Sequence, residues 1–559
     1  MKKTVAIILI LIIIIFSAFF VFFGKSNSII YKKYFVKGKN QKVDIYDENL
    51  NKINSINRGS EVKSSGNKID KDDSEYLECI YNKETVYINK NNISGDSKNL
   101  VLEKEVYVRT PATIYKDTKS SDILYQTKKG DKLEVVGYDT LGEDGSVKYY
   151  KIKINDIVGY VYGKYLTYTK EDANAYYEKE KYHDLHASMG DTLNAGNAGD
   201  LDYYPRVKSK FSKNVMPDKV YALYLNGGRD VISRVDEYIE FAKTTKINSF
   251  VVDIKDNEAP AYKSEVMKKY SPTSYENAAN TLHEYKSAIK KLKDNGFYVI
   301  GRITVFKDMY YATDHSEDAI MDTRSGQALL HANTYWPSTY KRSVWMYNIE
   351  LAKEAVNDMG FNEIQFDYVR FPDRVLEYEK SGLIDYRNEY EETKSQAIQR
   401  FLMYATDELH KLNVYVAADV FGESAHKYVT AYGQYYPAIS NVVDVISAMP
   451  YPDHFSKYEY GFSEPVWTKP YEILNYWGRE YAVKRRNEVP TPAIDRSWIQ
   501  TYDVPNYKQP GGFSYGSNEV EGEIKGLFDA GINGGYMTWN ASSNLEKYKS
   551  QASAYSKEY

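Results

Sequence analysis

The chain has very few of the residues that metal, redox and thiol chemistries require. Its 559 residues include one cysteine and eight histidines. A single cysteine excludes an intramolecular disulfide, and Cys79 lies in the apolar stretch YLECIY, which is typical of a small buried side chain. The histidines show neither the His-x-His nor the His-Glu-x-x-His spacing of zinc sites. We therefore expect no bound metal and no cofactor.

Charge of either sign is not in large excess. The formal net charge is −4, so no global basic surface is available to attract nucleic acid. We expect no nucleic-acid partner. The count of 57 tyrosines is high, and aromatic rings suit the faces of sugars, but the same bias also fits a general preference for Lys, Asn, Ile and Tyr codons.

One long apolar run is present, at the start of the chain. Met1, Lys2 and Lys3 precede an apolar stretch from Ala6 to Phe23 that only Ser17 interrupts. Its length is about that of a membrane-spanning helix. Because the run stays bulky to its end, it favours an uncleaved anchor over a cleaved signal peptide. Residues 1–25 are therefore predicted as a single-pass membrane anchor with a cytoplasmic N-terminus, which leaves the bulk of the chain extracellular.

Two stretches of short strands separated by polar turns follow, in residues 31–97 and 101–169. They align loosely with each other and predict an internal repeat of a small all-β unit. The second stretch resembles a bacterial SH3-like domain through Lys129-Gly130-Asp131 before a strand and Gly159-Tyr160-Val161 near its end. The first is a degenerate match. The resemblance implies binding to cell-wall peptides or glycans, and a spacer role is an equal alternative.

A polar segment, residues 170–214, is interpreted as a linker, and residues 215–559 show eight strand candidates that alternate with helical patterns. Several helical patterns end in Gly before the next strand, as helices commonly do. Eight strand–helix units predict an α/β fold, a (β/α)8 TIM barrel, rather than a doubly wound sheet, since no Gly-rich phosphate loop follows the first strand. The strand candidates begin at Val220, Ser249, Tyr298, Glu363, Val414, Val443, Thr491 and Gly534.

The carboxyl-terminal ends of these strands carry many polar and aromatic residues. In a (β/α)8 barrel this end bears the active site. The stretch GFNEIQFDYVRFPD, residues 360–373, places Asp367 near the end of the fourth strand, with Arg370 just beyond it. The predicted catalytic residues are Asp367, Asp419 and Glu423. The predicted substrate-binding residues are Asp253, Asp256, Arg302, Arg370, Tyr451, His454, Trp498 and Trp539.

Paired carboxyl groups with aromatic neighbours are what glycosidic bond cleavage requires. One carboxylate attacks or stabilises the anomeric carbon, and a second, kept protonated, donates to the leaving oxygen. Trp498 and Trp539 could stack on a sugar, or could simply pack in the core. Asp367 could equally pair with Arg370 for structure alone.

The blocks EIQFDYVRFP, VWMYNIELAKEA, AADVFG and ISAMPYPDHF resemble the bacterial "putative glycosyl hydrolase" domain family, over roughly Val220 to Asn540. The family resemblance implies a barrel distantly similar to the alpha-amylase group. Asp367 matches its fourth-strand aspartate and Asp419 its fifth-strand aspartate. The alpha-amylase group has a glutamate acid on the fifth strand, so either Asp419 or Glu423 could be the acid here. The expected partner is a polysaccharide or a peptidoglycan-like glycan.

Two other functional classes remain open at this stage. The barrel could bind a polysaccharide without cutting it, or the chain could be a structural surface protein. Convergence of two carboxyl groups in one cleft would favour a glycan-cleaving enzyme over both alternatives.

Overall fold

The computed structural model describes residues 30–175, 186 and 195–559. The predicted anchor, residues 1–25, lies outside the described residues. Within those described ranges, no helix is both long and apolar enough to cross a membrane. The chain divides into two compact units, one made of residues up to 107 together with 132–169, and the other made of residues 108–131 and 170 onward.

The first unit is all-β, as the sequence predicts. Its first sheet has seven strands, and apolar residues alternate inward to a core that includes Val36, Val62, Cys79 and Ile88. Burial raises the pKa of the Cys79 thiol to about 11, so this residue is an inert core side chain. The strands are Lys32–Val36, Lys42–Tyr46, Lys52–Asn57, Glu61–Lys71, Ser74–Tyr81, Glu84–Asn89 and Ile93–Ser94.

The same strand pairings recur later in the chain, which agrees with the internal repeat in the sequence. In the first sheet, the fourth strand pairs antiparallel with the first and the fifth, and the fifth pairs with the sixth. In the second repeat, Lys132–Tyr138 pairs antiparallel with Glu105–Val108 and with Tyr149–Ile154, and Tyr149–Ile154 pairs with Ile157–Tyr162. In the first unit, the strands of the second repeat are Glu105–Val108, Lys132–Tyr138, Tyr149–Ile154, Ile157–Tyr162 and Leu166–Thr167. The hairpin of Thr113–Tyr115 and Ile123–Gln126 belongs to the second unit.

A buried ion pair joins the two repeats within the first unit. Arg58 Nη1 lies 2.6 Å from Glu103 Oε1, and Arg58 Nε donates to the carbonyl of Gly145 at 3.1 Å. Both charged side chains are almost completely buried. Because a buried charge requires its partner, this pair fixes the first repeat against the second.

The second unit contains a nearly closed barrel of eight parallel strands, which confirms the predicted α/β barrel. Each strand pairs with the next along the chain, and the eighth pairs with the first. The seventh strand is divided at Arg496 into one segment that pairs with the sixth strand and one that pairs with the eighth. The strands are Val220–Leu225, Ser249–Asp256, Tyr298–Thr304, Glu363–Asp367, Tyr415–Phe421, Val445–Met449, Ile494–Asp495 with Ser497–Gln500, and Gly535–Trp539.

Two consecutive glycines let the eighth strand close the ring. Gly535 has φ +109°, and a Cβ there would lie 1.9 Å from the carbonyl oxygen of Val220 on the first strand. A Cβ on Gly534 would lie 2.6 Å from the carbonyl oxygen of Asp495 on the seventh. No other residue type fits at this approach of three backbones.

Helices connect the strands, and several end as the sequence predicts. The helix before the fourth strand stops at Gly360, which takes a left-handed φ of +72°. The longer helices are Val235–Lys243, Leu282–Asp294, Arg342–Met359, Lys394–His410, Pro470–Trp477 and Ser517–Ala530. The shorter ones are Lys170–Asn174, Arg229–Ser233, Glu265–Tyr270, Pro272–Glu276, Met309–Asp314, Leu376–Lys380, Tyr436–Val442, Gly478–Ala482 (π-helical), Val483–Arg486, Leu545–Ser550 and Ala552–Tyr555.

Part of the predicted linker packs on the barrel domain. Leu201 and Tyr203 are buried in an apolar cluster with Val429, Tyr435 and Val489. Lys208 Nζ donates to the carbonyls of three residues at the end of the helix Tyr436–Val442, namely Ser440, Asn441 and Val443. The segment therefore forms part of the folded second unit.

A buried ion pair fills the amino-terminal half of the barrel interior. Arg496 Nη1 donates to Glu363 Oε1 at 2.8 Å, and Tyr298 Oη donates to Glu363 Oε2 at 3.0 Å. Neither charged side chain is exposed. Arg496 therefore lies toward the amino-terminal end of the barrel, where the fourth strand begins at Glu363.

Replacing Glu363 with Ala should destabilise the barrel by about 3–5 kcal/mol, because Arg496 would remain buried without its anion. Chemical denaturation followed by tryptophan fluorescence measures this loss. Glu377→Ala is the control, since Glu377 pairs with Lys380 at the surface and should change the free energy of unfolding by less than about 1 kcal/mol. Equal effects of the two changes would contradict the assigned role of the pair.

Candidate functional site

Four charged side chains meet inside the carboxyl-terminal end of the barrel, which we call the mouth. These four ionisable residues are Asp253, Arg302, Asp367 and Asp419, from the second, third, fourth and fifth strands. Strand alternation points each one inward, and parallel pairing brings Asp253 level with Arg302. All four are nearly completely buried.

Arg302 lies at the centre of this cluster. Its Nη2 and Nε donate to Asp367 Oδ2 at 2.6 and 3.1 Å, and its Nη1 donates to Asp253 Oδ1 at 2.7 Å. Asp256 Oδ1 lies 3.6 Å from the same Nη1, and Asp419 Oδ2 lies 3.9 Å from Nε. One guanidinium thus faces four carboxyl groups, which cannot all be ionised in a buried site without a large free-energy cost.

Asp419 is the carboxyl group whose neutral form this arrangement favours. Burial, and after it the negative charge of Asp367, raises the pKa of Asp419 well above its usual range, although Arg302 and the Trp498 hydrogen bond oppose this. Trp498 Nε1 donates to Asp419 Oδ1 at 2.8 Å. Asp419 Oδ2 is buried and has no hydrogen-bond partner among the described residues. Because Oδ1 accepts from Trp498, Oδ2 is the oxygen that can carry a proton without disturbing this hydrogen bond.

Asp253 is held from two sides. Tyr224 Oη donates to Asp253 Oδ2, while Arg302 holds the other oxygen. Burial raises the pKa of Asp253 to about 6 against the opposing charge of Arg302. Asp256 extends toward solvent, with 38% of its side chain exposed. The cluster therefore opens outward at Asp256.

Aromatic side chains form the wall of the mouth. Trp539 lies with its ring centroid 5.2 Å from the Arg302 guanidinium carbon, and it packs against Tyr224 and Trp498 at centroid distances of 4.7 and 5.5 Å. Trp498 is fully buried, whereas Trp539 is partly exposed. Trp498 thus positions Asp419, and Trp539 presents an aromatic surface at the opening.

The separation of Asp367 and Asp419 is bounded by their shared contact with Arg302 Nε. Asp367 Oδ2 lies 3.1 Å from this atom and Asp419 Oδ2 lies 3.9 Å from it. The two oxygens are therefore at most about 7 Å apart, a limit that includes the carboxyl spacing of about 5 Å in retaining glycosidases and the lower end of the 6.5–9.5 Å range in inverting ones.

The fourth strand ends earlier than the sequence suggests. The pattern predicts strand through Val369, but the strand ends at Asp367 because Tyr368 adopts a left-handed φ of +52°. The Tyr368 amide donates to Asp367 Oδ1 at 2.6 Å. This turn holds the Asp367 carboxylate at the strand end, and Oδ2 accepts hydrogen bonds from Arg302.

Two predicted site residues lie away from this cluster. Arg370 does not approach Asp367, since its Nη1 donates to the Phe371 carbonyl and to Asp373 Oδ1. The cation beside Asp367 is Arg302, from the neighbouring strand. Glu423 lies beyond the fifth strand in the short helix Gly422–Ala425, so it does not share the strand face of Asp419.

The segment after the sixth strand supplies the remaining predicted residues. Tyr451 is buried in the barrel cluster that includes Trp498, and its ring packs edge-on against His454 at 5.0 Å. His454 is exposed, with its Nε2 3.7 Å from Asp453 Oδ1. The structure therefore brings together Asp253, Asp256, Arg302, Asp367, Asp419, Trp498 and Trp539, with Tyr451 alongside.

Sequence reasoning missed two residues that hold the site. Tyr224 is the next-to-last residue of the first strand, so the strand-end argument could have found it. Gln434 gave no local signal, because it acts on backbone atoms from a distant loop. Its Nε2 donates to the Val369 and Asp419 carbonyls, and its Oε1 accepts from the Phe421 amide. Gln434 thus joins the ends of the fourth and fifth strands.

The cluster contains its own cationic side chain. Its carboxyl groups surround a guanidinium, which occupies the position that a cation would take. Within the part of the chain that the structure describes, no group of three or more His, Cys, Asp or Glu side chains is arranged to hold a metal ion.

Comparison with known proteins adds a family match. The family described as "Putative glycosyl hydrolase domain" matches residues 222–545. No curated protein matches the chain. A hypothetical protein from Ruminiclostridium thermocellum ATCC 27405 is 33% identical over 35% of this chain and 97% of that chain, with a TM-score of 0.30.

Two further solved structures are enzymes of known type. An inactive mutant of a family GH20 exo-β-N-acetylglucosaminidase from Vibrio harveyi is 14% identical over 61% of this chain and 55% of that chain, with a TM-score of 0.39. A class V chitinase from Pseudomonas fluorescens Pf-5 is 12% identical over 60% of this chain and 99% of that chain, with a TM-score of 0.37.

Proposed function

Because the chain belongs to the family described as "Putative glycosyl hydrolase domain", we propose that its barrel hydrolyses a cell-surface or extracellular glycan with Asp367 and Asp419 as the catalytic pair. One observation carries the proposal. Two buried carboxyl groups of different environment, one paired with Arg302 and one kept protonated, meet at the barrel mouth.

Each carboxyl group has the environment that its step requires. Asp367 is ion-paired with Arg302, so its carboxylate can attack or stabilise an anomeric carbon that develops positive charge. Asp419 carries its proton on Oδ2, the oxygen left without a hydrogen-bond partner among the residues described. That proton passes to the glycosidic oxygen as the bond to the leaving sugar breaks. Water then bonds to the anomeric carbon through its oxygen and displaces Asp367 wherever that carboxylate has bonded there, while the proton of the water returns to Asp419.

The surrounding residues position these two groups. Arg302 is fixed by Asp253, which Tyr224 holds in turn. Trp498 orients Asp419 through its indole N–H. Asp256 and Trp539, at the opening, are placed to bind sugar hydroxyl groups and a sugar face. The apolar run Ala6–Phe23 supports an extracellular position for this barrel.

The full chain, solubilised in detergent, should release new reducing ends from at least one glycan. Suitable substrates are isolated peptidoglycan glycan strands, β-1,4-linked N-acetylglucosamine oligomers and α-1,4-linked glucose oligomers. Incorporation of oxygen from labelled water into the product separates hydrolysis from transfer. Binding to a glycan without any new reducing ends would instead favour a polysaccharide-binding barrel.

A further inference from the structure

A second group of aromatic and acidic side chains lies outside the Arg302 cluster. It consists of Glu423, His426, Tyr428, Tyr460 and Tyr481, and we call it the rim site. Its members come from the loops after the fifth and sixth barrel strands and from the π-helical segment Gly478–Ala482. Loops that follow the strands lie on the same face of the barrel as the mouth.

Glu423 provides the hydrogen-bonding group of the rim site. Tyr428 Oη donates to Glu423 Oε1 at 3.0 Å, and Tyr432 Oη donates to Glu423 Oε2 at 2.9 Å. The glutamate is nevertheless exposed. Each carboxylate oxygen accepts more than one hydrogen bond, so both oxygens remain able to accept from a ligand hydroxyl.

The rings beside Glu423 are held in place by one another. His426 is parallel to Tyr428, with 4° between the ring planes, and its Nε2 lies 3.1 Å from Tyr460 Oη. Tyr460 stacks on Tyr481 at a centroid distance of 5.2 Å. All four rings remain partly exposed, which distinguishes them from the tyrosines of the barrel core.

The rim site is continuous with the end of the fifth strand. Phe421, the last residue of that strand, packs edge-on against Tyr432 at 5.1 Å, and Tyr432 donates to Glu423. Asp419 lies two residues before Phe421 on the same strand. A chain of sugars that extends from the mouth along this strand end would therefore reach the rim site.

Partly exposed rings beside an exposed carboxylate match the chemistry of a sugar unit. The apolar face of a sugar ring packs on an aromatic face, and its hydroxyl groups donate to a carboxylate. An apolar protein partner would not use the acceptor capacity of Glu423. Simple packing would not leave the carboxylate and four rings open to solvent.

We propose that the rim site binds one sugar unit of an extended glycan while a glycosidic bond elsewhere in the same glycan is cleaved at Asp367 and Asp419. This inference rests on the proposed function and makes its substrate an oligosaccharide or a polysaccharide. Glu423, predicted from the sequence as a catalytic candidate, becomes a substrate-binding residue.

Binding of oligosaccharides of graded length tests the rim site. The full chain carrying Asp367→Asn is titrated in a calorimeter with the three glycans named above, from disaccharide to hexasaccharide. We expect the hexasaccharide of one series to bind at least about tenfold more tightly than its disaccharide, which corresponds to one additional occupied subsite. His426→Ala or Tyr428→Ala should remove most of that difference.

Tyr471→Ala is the matched control. Tyr471 also donates its hydroxyl to an acidic side chain, Asp529, but on the outer helices rather than at the rim. This change should leave the length dependence intact, and thermal unfolding should show that all variants are folded. Affinity independent of length, no binding in any series, or equal effects of Tyr428→Ala and Tyr471→Ala would overturn the rim site. Absence of cleavage by the parent chain, with length-dependent binding retained, would overturn the proposed hydrolysis instead.

Discussion

Replacing Asp367 with Asn should lower glycan hydrolysis by about 10³-fold or more, the loss typical of removing a reacting group from an enzyme. Asn has nearly the same shape as Asp and can still accept from the Tyr368 amide, but it carries no negative charge to stabilise the anomeric carbon. Turnover of a glycan that the parent cleaves measures the loss, and calorimetry should show that glycan binding survives.

The barrel should remain folded in this variant, because Arg302 retains Asp253 at 2.7 Å as a buried anionic partner. Asp495→Asn is the matched control. Asp495 is also a buried strand aspartate, but it accepts from Tyr436 Oη outside the Arg302 cluster. We expect near-parental turnover from Asp495→Asn, and full activity in Asp367→Asn would refute the assignment of the nucleophile or stabiliser.

Replacing Asp419 with Asn should reduce cleavage of natural glycans by about 10²–10⁴-fold, the usual contribution of a general acid. Hydrolysis of a nitrophenyl glycoside should fall much less, because its leaving group needs no proton. We also expect the parent to lose activity as Asp419 ionises at high pH, and this pH dependence should be absent from Asp419→Asn. A uniform loss on both substrates would contradict the role of Asp419 as the acid.

Stability provides an independent measurement of the same proton. Burial raises the pKa of Asp419 in the folded chain, so the folded state binds this proton more tightly than the unfolded state does. Its contribution to stability is complete below the unfolded pKa and is lost as the pH rises through the folded pKa. Asn cannot ionise. We therefore expect the melting temperature of the parent to fall, relative to that of Asp419→Asn, as the pH increases.

Local sequence determined the strands, several helix ends and the inward direction of the key carboxylates. Alternation alone placed Gln365 and Asp367 on one face of the fourth strand, and both point into the barrel. The end of the helix at Gly360 also followed from local rules, because only a left-handed residue satisfies that turn. These features depend on periodicity and on single-residue conformational preferences, which the sequence contains directly.

The tertiary structure decided which residues form ion pairs and hydrogen bonds with the predicted site residues. Arg370 is three residues from Asp367, yet Arg302, 65 residues away, forms its ion pair. Likewise, Glu423 is four residues from Asp419 but turns outward to Tyr428 and Tyr432, since the strand ends before it.

The sequence by itself therefore determined a parallel α/β barrel with carboxyl groups at its mouth and two β repeats before it. Only the tertiary structure decided that Arg302 neutralises Asp367, that burial favours the neutral form of Asp419, and that Gln434 joins the two strand ends. The physical reason is that the pKa of an ionisable group depends on the groups near it in space, whether or not they are near it in the sequence. Neighbouring parallel strands bring together residues that are far apart in the chain, and burial then sets the free energy of each ionised group.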